Sequence, residues 1–517
     1  MALRRLRTVR VVTSLLLFVP VLFMFTDLTG ILPPPAVDIL TSPQLIPSIV
    51  RLSSGLAAGA AGLLVVLLVT ATFGRVYCST VCPLGTLQDI FSRLNRKRNS
   101  RRRFRFRRQN YLLHYGLLGI TATLALGGSF FLLNLLEPFS NFGRTVVALI
   151  RPLAVVMNNG AALLLGMFRV YAVFIVPFHA PSAAVLTLAS LFVGVLFTMS
   201  YLRGRLFCNT LCPAGAILGL IARVSLFRIA FDRTSCRDCG LCEKVCKAGC
   251  IDSATLRVDH SACVGCFDCF EVCPTAGLTY RRAGGRTERS LTRVDRRRRT
   301  VLSRTAGVAL VMLPGGDTLR AVLPAPTGKS RSTLPIAPPG SGGIARLNSR
   351  CTACHLCIST CPTQVLSPAF LEYGPGGILQ PRMDYSAGTC TYECDLCGRV
   401  CPSGAILPLS LEVKKLAQIG KARFVKDDCI VVTKKTECGA CSEHCPTKAV
   451  HMVKSEGLFL PELNEDLCIG CGSCEHPCPS TPDKAIYVES NPVHRTAKKP
   501  ESTKPGIQPA PGADFPF

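Results

Sequence analysis

Acidic residues are scarce in this 517-residue chain: 32 Asp and Glu stand against 59 Lys and Arg, leaving a net charge of +27. Charge of either sign is missing from two long intervals, Arg51 to Arg75 and Arg108 to Glu137. Each interval can supply the ~20 apolar residues of a membrane helix. With 48% hydrophobic residues the chain is too apolar for an ordinary soluble protein. An even cysteine count is also lacking, because there are 29. That number and the chain length argue against a disulfide scaffold, which belongs to short secreted chains. No flavin, haem or nucleotide motif is expected.

The excess of base invites a nucleic-acid reading, and Arg93 to Arg108 holds ten basic residues and no acid. That run sits directly before an uncharged interval. Lysine and arginine gather on the cytoplasmic side of membrane helices, so the loop and the N-terminus, with Arg4, Arg5, Arg7 and Arg10, are expected to face inward. No nucleic-acid partner is expected.

Two further spans follow from the same reasoning. Val11 to Phe25 ends at Asp27 and Pro33-Pro34-Pro35, and lacks the small-residue cleavage site of a signal peptide. The stretch from Val170 to Leu202 is broken by Pro177, His179 and Pro181, so its second half, from about Ser182, supplies the fourth span. Ser140 to Phe178 contains Arg144, Arg151 and Arg169 and is expected to be interfacial or re-entrant on the outer side.

The ends of the second and fourth spans match each other. Gly74-Arg75-Val76-Tyr77-Cys78-Ser79-Thr80-Val81-Cys82-Pro83 parallels Gly204-Arg205-Leu206-Phe207-Cys208-Asn209-Thr210-Leu211-Cys212-Pro213, with Gly85 and Gly215 extending the match. Two helices followed by C-x-x-x-C-P thus occur twice, and both elements should emerge on one face. Two readings stand for Cys78, Cys82, Cys208 and Cys212: a shared seventh iron–sulfur cluster, or packing and reversible-dithiol elements.

The other cysteines carry the strongest signal. Cys351, Cys354, Cys357 and Cys361 before Pro362 form the C-x-x-C-x-x-C-x-x-x-C-P run with which bacterial ferredoxins hold [4Fe–4S] clusters. Three thiolates bind one cube and the fourth crosses to its neighbour, so runs come in pairs. Six runs give three pairs and six clusters. The crossover predicts Cys236, Cys239, Cys242 with Cys273, and Cys263, Cys266, Cys269 with Cys246. It then predicts Cys351, Cys354, Cys357 with Cys401, and Cys390, Cys394, Cys397 with Cys361. The last pair is Cys429, Cys438, Cys441 with Cys478, and Cys468, Cys471, Cys474 with Cys445. Three spacings depart from the ideal: Lys247 replaces proline, Cys390 to Cys394 is one residue long, and Cys429 to Cys438 spans nine positions. Zinc knuckles do not require triple cysteines repeated six times. Cys250 is left over.

The expected fold is an α-helical membrane domain of four spans with an internal two-helix repeat, followed by three α+β bacterial dicluster ferredoxin-like modules. The expected divisions are 1–225 for the membrane domain, 226–285 for the first module, 286–345 for a basic hydrophobic segment and linker, 346–408 and 409–490 for the second and third modules, and 491–517 for a disordered tail.

The four spans, two C-x-x-x-C-P elements and following two-cluster domain resemble the NapH/MauN family of membrane ferredoxin-type proteins over residues 1 to about 285. Residues from about 296 to 486 resemble the four-cluster NapG/MauM family, so the chain resembles a fusion of the two. The resemblance implies electron transfer from membrane quinol toward a periplasmic reductase or dehydrogenase system. Arg296-Arg297 ahead of Thr305 to Leu313 resembles a twin-arginine export signal, or is a basic linker. The protein is therefore expected in the bacterial inner membrane, with its first module cytoplasmic and the side of the other two open.

For a quinol site, Glu137 supplies a carboxylate near the outer interface and His114 lies inside the third span. Their alternative roles are a helix-end charge and a buried core histidine. The rival functions are ferredoxin-to-quinone transfer, with a soluble ferredoxin as partner, and a membrane polyferredoxin that senses redox state or supports maturation of a partner.

Overall fold

The computed structural model describes residues 2–53, 55, 58–98, 104–282, 334–455 and 457–499. The arginine-rich hydrophobic segment at 296–313 lies outside the described residues.

The N-terminal half is helical because its long apolar intervals leave the backbone only internal hydrogen bonds. Its elements are α1 (Ala2–Thr26), α2 (Pro34–Thr41), α3 (Leu45–Ser53), α4 (Ala58–Phe73), α5 (Tyr77–Thr80), α6 (Pro83–Arg98), α7 (Tyr111–Leu126), α8 (Phe131–Leu136), α9 (Pro138–Thr145), α10 (Arg151–Met167), α11 (Ala183–Arg203), α12 (Leu206–Thr210) and α13 (Pro213–Ala222). A π turn at Val146–Ile150 fuses α9 to α10.

Among the described residues, three helices are long and apolar enough to cross a membrane: Arg5–Thr26, Pro138–Met167 and Ala183–Arg203. The second and third expected spans form shorter apolar helices, Gly59–Phe73 and Tyr111–Leu126. Pro138–Met167 covers most of Ser140 to Phe178, the stretch expected to be interfacial or re-entrant for its arginines. The structure accommodates them: Arg144 donates to the Asn134 carbonyl and to Asn141 Oδ1, and Arg151 to the Ser359 carbonyl.

Each ferredoxin-like module is built on short antiparallel ladders that leave the cysteine loops between them. In the first, β1 (Phe227–Phe231) pairs with β4 (Leu278–Arg282), and β2 (Ile251–Asp252) with β3 (Arg257–Val258). In the second, β5 (Leu366–Pro368) pairs with β6 (Pro381–Met383). In the third, β7 (Ala417–Phe424) pairs with β10 (Ile486–Thr496), and β8 (Val450–Ser455) with β9 (Leu458–Leu463).

Two boundaries move. Residues 491–496, expected in a disordered tail, continue β10 and pair Arg495 with Gln418 and Thr496 with Ala417. The end of the expected linker is packed into the second module: Ile336 and Ala337 are buried, and the Ile336 carbonyl accepts from the Met383 N–H at 2.9 Å. Backbone hydrogen bonding, which leaves no periodicity in such short segments, decides both cases.

The first module lies at one end of α1, α4, α7 and α11; at the other end the second module is met directly by α1 and α11, and by α2, α3 and α8 beyond α4 and α7. Arg7 of α1 pairs with Asp268 at 3.1 Å, while Phe25 near its other end packs on Phe139 and Phe142 beside the Cys354 loop. In α4, Phe73 stacks on Phe227; the α2 and α3 residues at its other end share a cavity with Arg399 and Cys401. Tyr111 of α7 donates to Asp259 at 2.6 Å, and α8, after the far end of α7, touches Pro375–Gly377. Val185 and Ala189 of α11 pack with Ala353 and Leu379, and Arg205 just beyond its end donates its N–H to the Lys247 carbonyl.

Candidate iron–sulfur centres

Three of the six expected cysteine sets each line one small cavity. The first is lined by Cys236, Cys239, Cys242 and Cys273. A second is lined by Cys361, Cys390, Cys394 and Cys397, and a third by Cys429, Cys438, Cys441 and Cys478. The fourth cysteine of each comes from the partner run, and the wide Cys429 to Cys438 loop still delivers its thiol. A Gly, Asp, His or Phe with positive φ turns the chain in several of these loops, as at Asp238 (φ 50°) and His355 (φ 64°). Such turns aim successive backbone N–H groups and side chains inward.

In the remaining expected sets the thiols influence one another electrostatically. Burial pushes the Cys269 thiol up, and Cys266, Cys263 and Cys246 add to it. Cys357 responds in the same way to burial and then to Cys354, Cys351 and Cys401, and Cys474 to burial, Cys471, Cys468 and Cys445. Thiols crowded like this do not ionise together unless a cation balances them, and bound iron would do that. Backbone N–H groups already point at the sulfurs, for example Ala353 to Cys351 and Ala449 to Cys445. Among the described residues no three His, Cys, Asp or Glu side chains close on a single-ion site.

Lys247, the residue that replaces the usual proline, has a specific role. Its ammonium lies 3.4 Å from Asp89 and 2.9 Å from Asp268, and Asp89 also accepts from Arg10 and Arg205. All of these except Arg7, which also joins Asp268, are almost fully buried. The network clamps the first module to α1, α6 and the turn after α11. The sequence reading missed Asp89, which is one acid among polar helix residues.

The C-x-x-x-C-P elements come together with reciprocal contacts. Arg75 Nη2 donates to the Cys208 carbonyl at 3.1 Å, and Arg205 Nη1 to the Cys78 carbonyl at 2.6 Å. A Cβ on Gly85 would lie 2.2 Å from the Cys78 carbonyl, and one on Gly215 would lie 2.3 Å from that of Cys208. Cys78, Cys82, Cys208 and Cys212 are all buried. Cys82 senses Cys208 and Cys78 electrostatically, and Cys212 senses the other three. Gln88 Nε2 lies 3.3 Å from Cys208 Sγ, and the Gly215 N–H lies 3.3 Å from Cys212 Sγ.

Glu137 and His114 are not brought together. Glu137 is buried as the N-cap of α9, accepting from the N–H groups of Phe139 (3.0 Å) and Ser140. His114 is buried in α7, its Nε2 3.3 Å from the Cys212 carbonyl. At the first-module end, a cavity of about 420 Å³ opens between Phe106, Leu113, Leu202, Leu206 and Asn209, with Cys246 in its wall.

Cys250, unassigned by spacing, has its sulfur 3.4 Å from that of Cys246. Cys351-Thr352-Ala353-Cys354-His355 does spell the C-x-x-C-H of c-type haem attachment, so the sequence itself does not exclude haem. In the structure His355 is buried with its Nε2 on the Leu379 carbonyl at 2.9 Å, and Cys351 and Cys354 act electrostatically on Cys357 together with Cys401.

One 4Fe-4S binding-domain model matches residues 56–101 and again 185–233, a 4Fe-4S dicluster-domain model matches 350–405 and 436–481, and a further 4Fe-4S binding-domain model matches 255–279. The chain is 28% identical to the ferredoxin-type protein NapF of Escherichia coli K12 over 157 residues, 30% of this chain and 87% of NapF. It is 31% identical to the methylamine utilization ferredoxin-type protein MauM of Methylobacillus flagellatus over 34% of this chain and 76% of MauM. The MauM of Methylophilus methylotrophus is 31% identical over 34% of this chain and 77% of its own length. No solved structure matches.

Proposed function

The chain belongs to the MauM family of ferredoxin-type iron–sulfur proteins, and from that premise we propose that it is a membrane-bound quinol-oxidising conduit passing electrons to a redox partner protein. The observation that carries the conduit is the crossover pairing: each of three cavities is lined by three cysteines of one run and one of its partner. Bound [4Fe–4S] clusters supply one-electron transfer, and their number here is six, held by the six sets of the sequence analysis. The Cys78, Cys82, Cys208 and Cys212 quartet holds a seventh iron–sulfur centre, supported by its burial and reciprocal arginines.

The apolar helices support residence in a membrane. Arg105, Arg107, Arg108 and Arg203 gather at the first-module end, which supports a cytoplasmic first module. For the quinol, Glu137 and His114 remain the acid and base candidates, and the 420 Å³ cavity beside Cys246 offers a second place with room for a ring. Its Asn110, Gln109 and Thr210 can hold ring oxygens.

The test is anaerobic mixing of the detergent-purified chain with a menaquinol analogue, reading the iron–sulfur absorbance. Quinol-dependent bleaching is expected. Clusters that bleach with dithionite but not with quinol contradict quinol oxidation and favour the reverse direction, ferredoxin to quinone.

A further inference from the structure

Four helices each reach the first module at one end and the second module's side at the other, and the cysteine quartet lies between. On the first-module side, Arg75 Nη1 donates to the Ser261 carbonyl at 2.6 Å, and Ser79 Oγ to the Gly265 carbonyl at 3.4 Å. The Cys78–Cys82 turn therefore rests on the loop that carries Cys263 and Cys266. On the other side, α6, which begins directly after Cys82, packs against α9, whose N-cap is Glu137. From Glu137, α9 leads to Gly143, where a Cβ would lie 2.4 Å from the Cys354 carbonyl. Beyond that, the Cys390 N–H donates to the Cys471 carbonyl at 3.0 Å, joining the second module to the third.

The spacing fits a bilayer. Arg7 and Phe25 are about 27 Å apart along α1 at 1.5 Å per residue, close to the ~30 Å hydrocarbon core. Charge points to the quartet as a loaded site. Arg75 is 1% exposed and has no carboxylate partner among the described residues; it meets Asn209, the Ser261 and Cys208 carbonyls, and Cys78 Sγ at 3.9 Å. A buried cation without an anion is strongly unfavourable. Thiolates bound to iron would supply the missing negative charge.

We propose that this chain moves electrons across the membrane, with the first module on one face, the second and third on the other, and the Cys78, Cys82, Cys208 and Cys212 centre between them. The proposal rests on the iron–sulfur reading above but not on quinol. One electron leaves a soluble low-potential iron–sulfur protein at the first module, and one electron reduces a one-electron oxidant at the third; no proton is exchanged.

The test places the full chain in sealed liposomes with ferricyanide trapped inside and a reduced two-cluster ferredoxin outside. One ferricyanide should be consumed per electron lost outside, and Cys78→Ser/Cys208→Ser should slow this at least 10-fold while losing about four irons per chain and keeping the EPR signals of the other sets. An unchanged rate in a variant that has lost those irons overturns the proposal. If that variant does not fold, sidedness of the unaltered chain decides. Protease should cut the first module only in inside-out vesicles and the second and third only in right-side-out ones, and cleavage of all three from one side overturns the proposal. A chain that bleaches with quinol but passes nothing across refutes this inference and leaves the quinol reading standing; the converse result refutes the quinol reading alone.

Discussion

Arg75 holds the Cys208 turn through its carbonyl at 3.1 Å, and Arg205, at the matching position of the second element, holds the Cys78 turn at 2.6 Å. Each arginine sits in one element and serves the other, so neither cysteine pair is positioned without its counterpart. Arg75→Gln removes a buried donor set and leaves the Ser261 and Cys208 carbonyls without it. A loss of about 3 kcal/mol is expected from stranded buried acceptors. Thermal unfolding of the detergent-purified variant, with iron analysis beside it, measures this.

Gly85 and Gly215 let each element fold against its own cysteine carbonyl at 2.2 and 2.3 Å from a would-be Cβ. Backbone atoms cannot yield as a flexible side chain can. Gly85→Ala and Gly215→Ala should each cost about 1–3 kcal/mol as overpacking, and should loosen the quartet. Unfolding midpoints and quartet iron retention check both.

Crossover pairing gives opposite assignments for neighbouring cysteines. Cys361→Ser should disturb the set of Cys390, Cys394 and Cys397, whose cavity it lines, although its own run is Cys351 to Cys357. Cys401→Ser should disturb the set of Cys351, Cys354 and Cys357 instead. Each should remove about four irons per chain, and EPR should show different signals lost in the two variants. Loss of the same signal in both contradicts the pairing.

Burial holds the His494 imidazole below its ordinary range, at about 4, against ~6.5 in an unfolded chain. Between those values the unfolded state binds more protons. Stability from this group is therefore full above about 6.5 and is lost as pH falls toward 4. With partial exposure discounted, about 1–2 kcal/mol is at stake. The difference in unfolding temperature between the unaltered chain and His494→Asn should shrink from pH 7.5 to pH 5.

The three cysteine sets that line cavities were legible because cluster ligation fixes spacing in sequence as well as in space. The reciprocal arginines left a signal that went unused: Arg75 and Arg205 occupy equivalent positions of the matched elements. Other features left none. Asp89 gains its role from Arg10, Arg205 and Lys247, which approach from three distant parts of the chain. The arginines of Pro138–Met167 find their partners only after folding, at Asn134, Asn141 and Ser359. The placement of modules at opposite ends of the helices depends on contacts such as Arg7 with Asp268, 261 residues apart, which periodicity does not encode.

An anaerobic redox titration of the full chain in detergent, followed by EPR and referenced to the quinol/quinone couple, tests the central claim most directly. The account predicts that the clusters on the path are reduced at potentials near or above that couple, so that quinol fills them. Clusters that all remain oxidised until far below it would contradict quinol as the electron source.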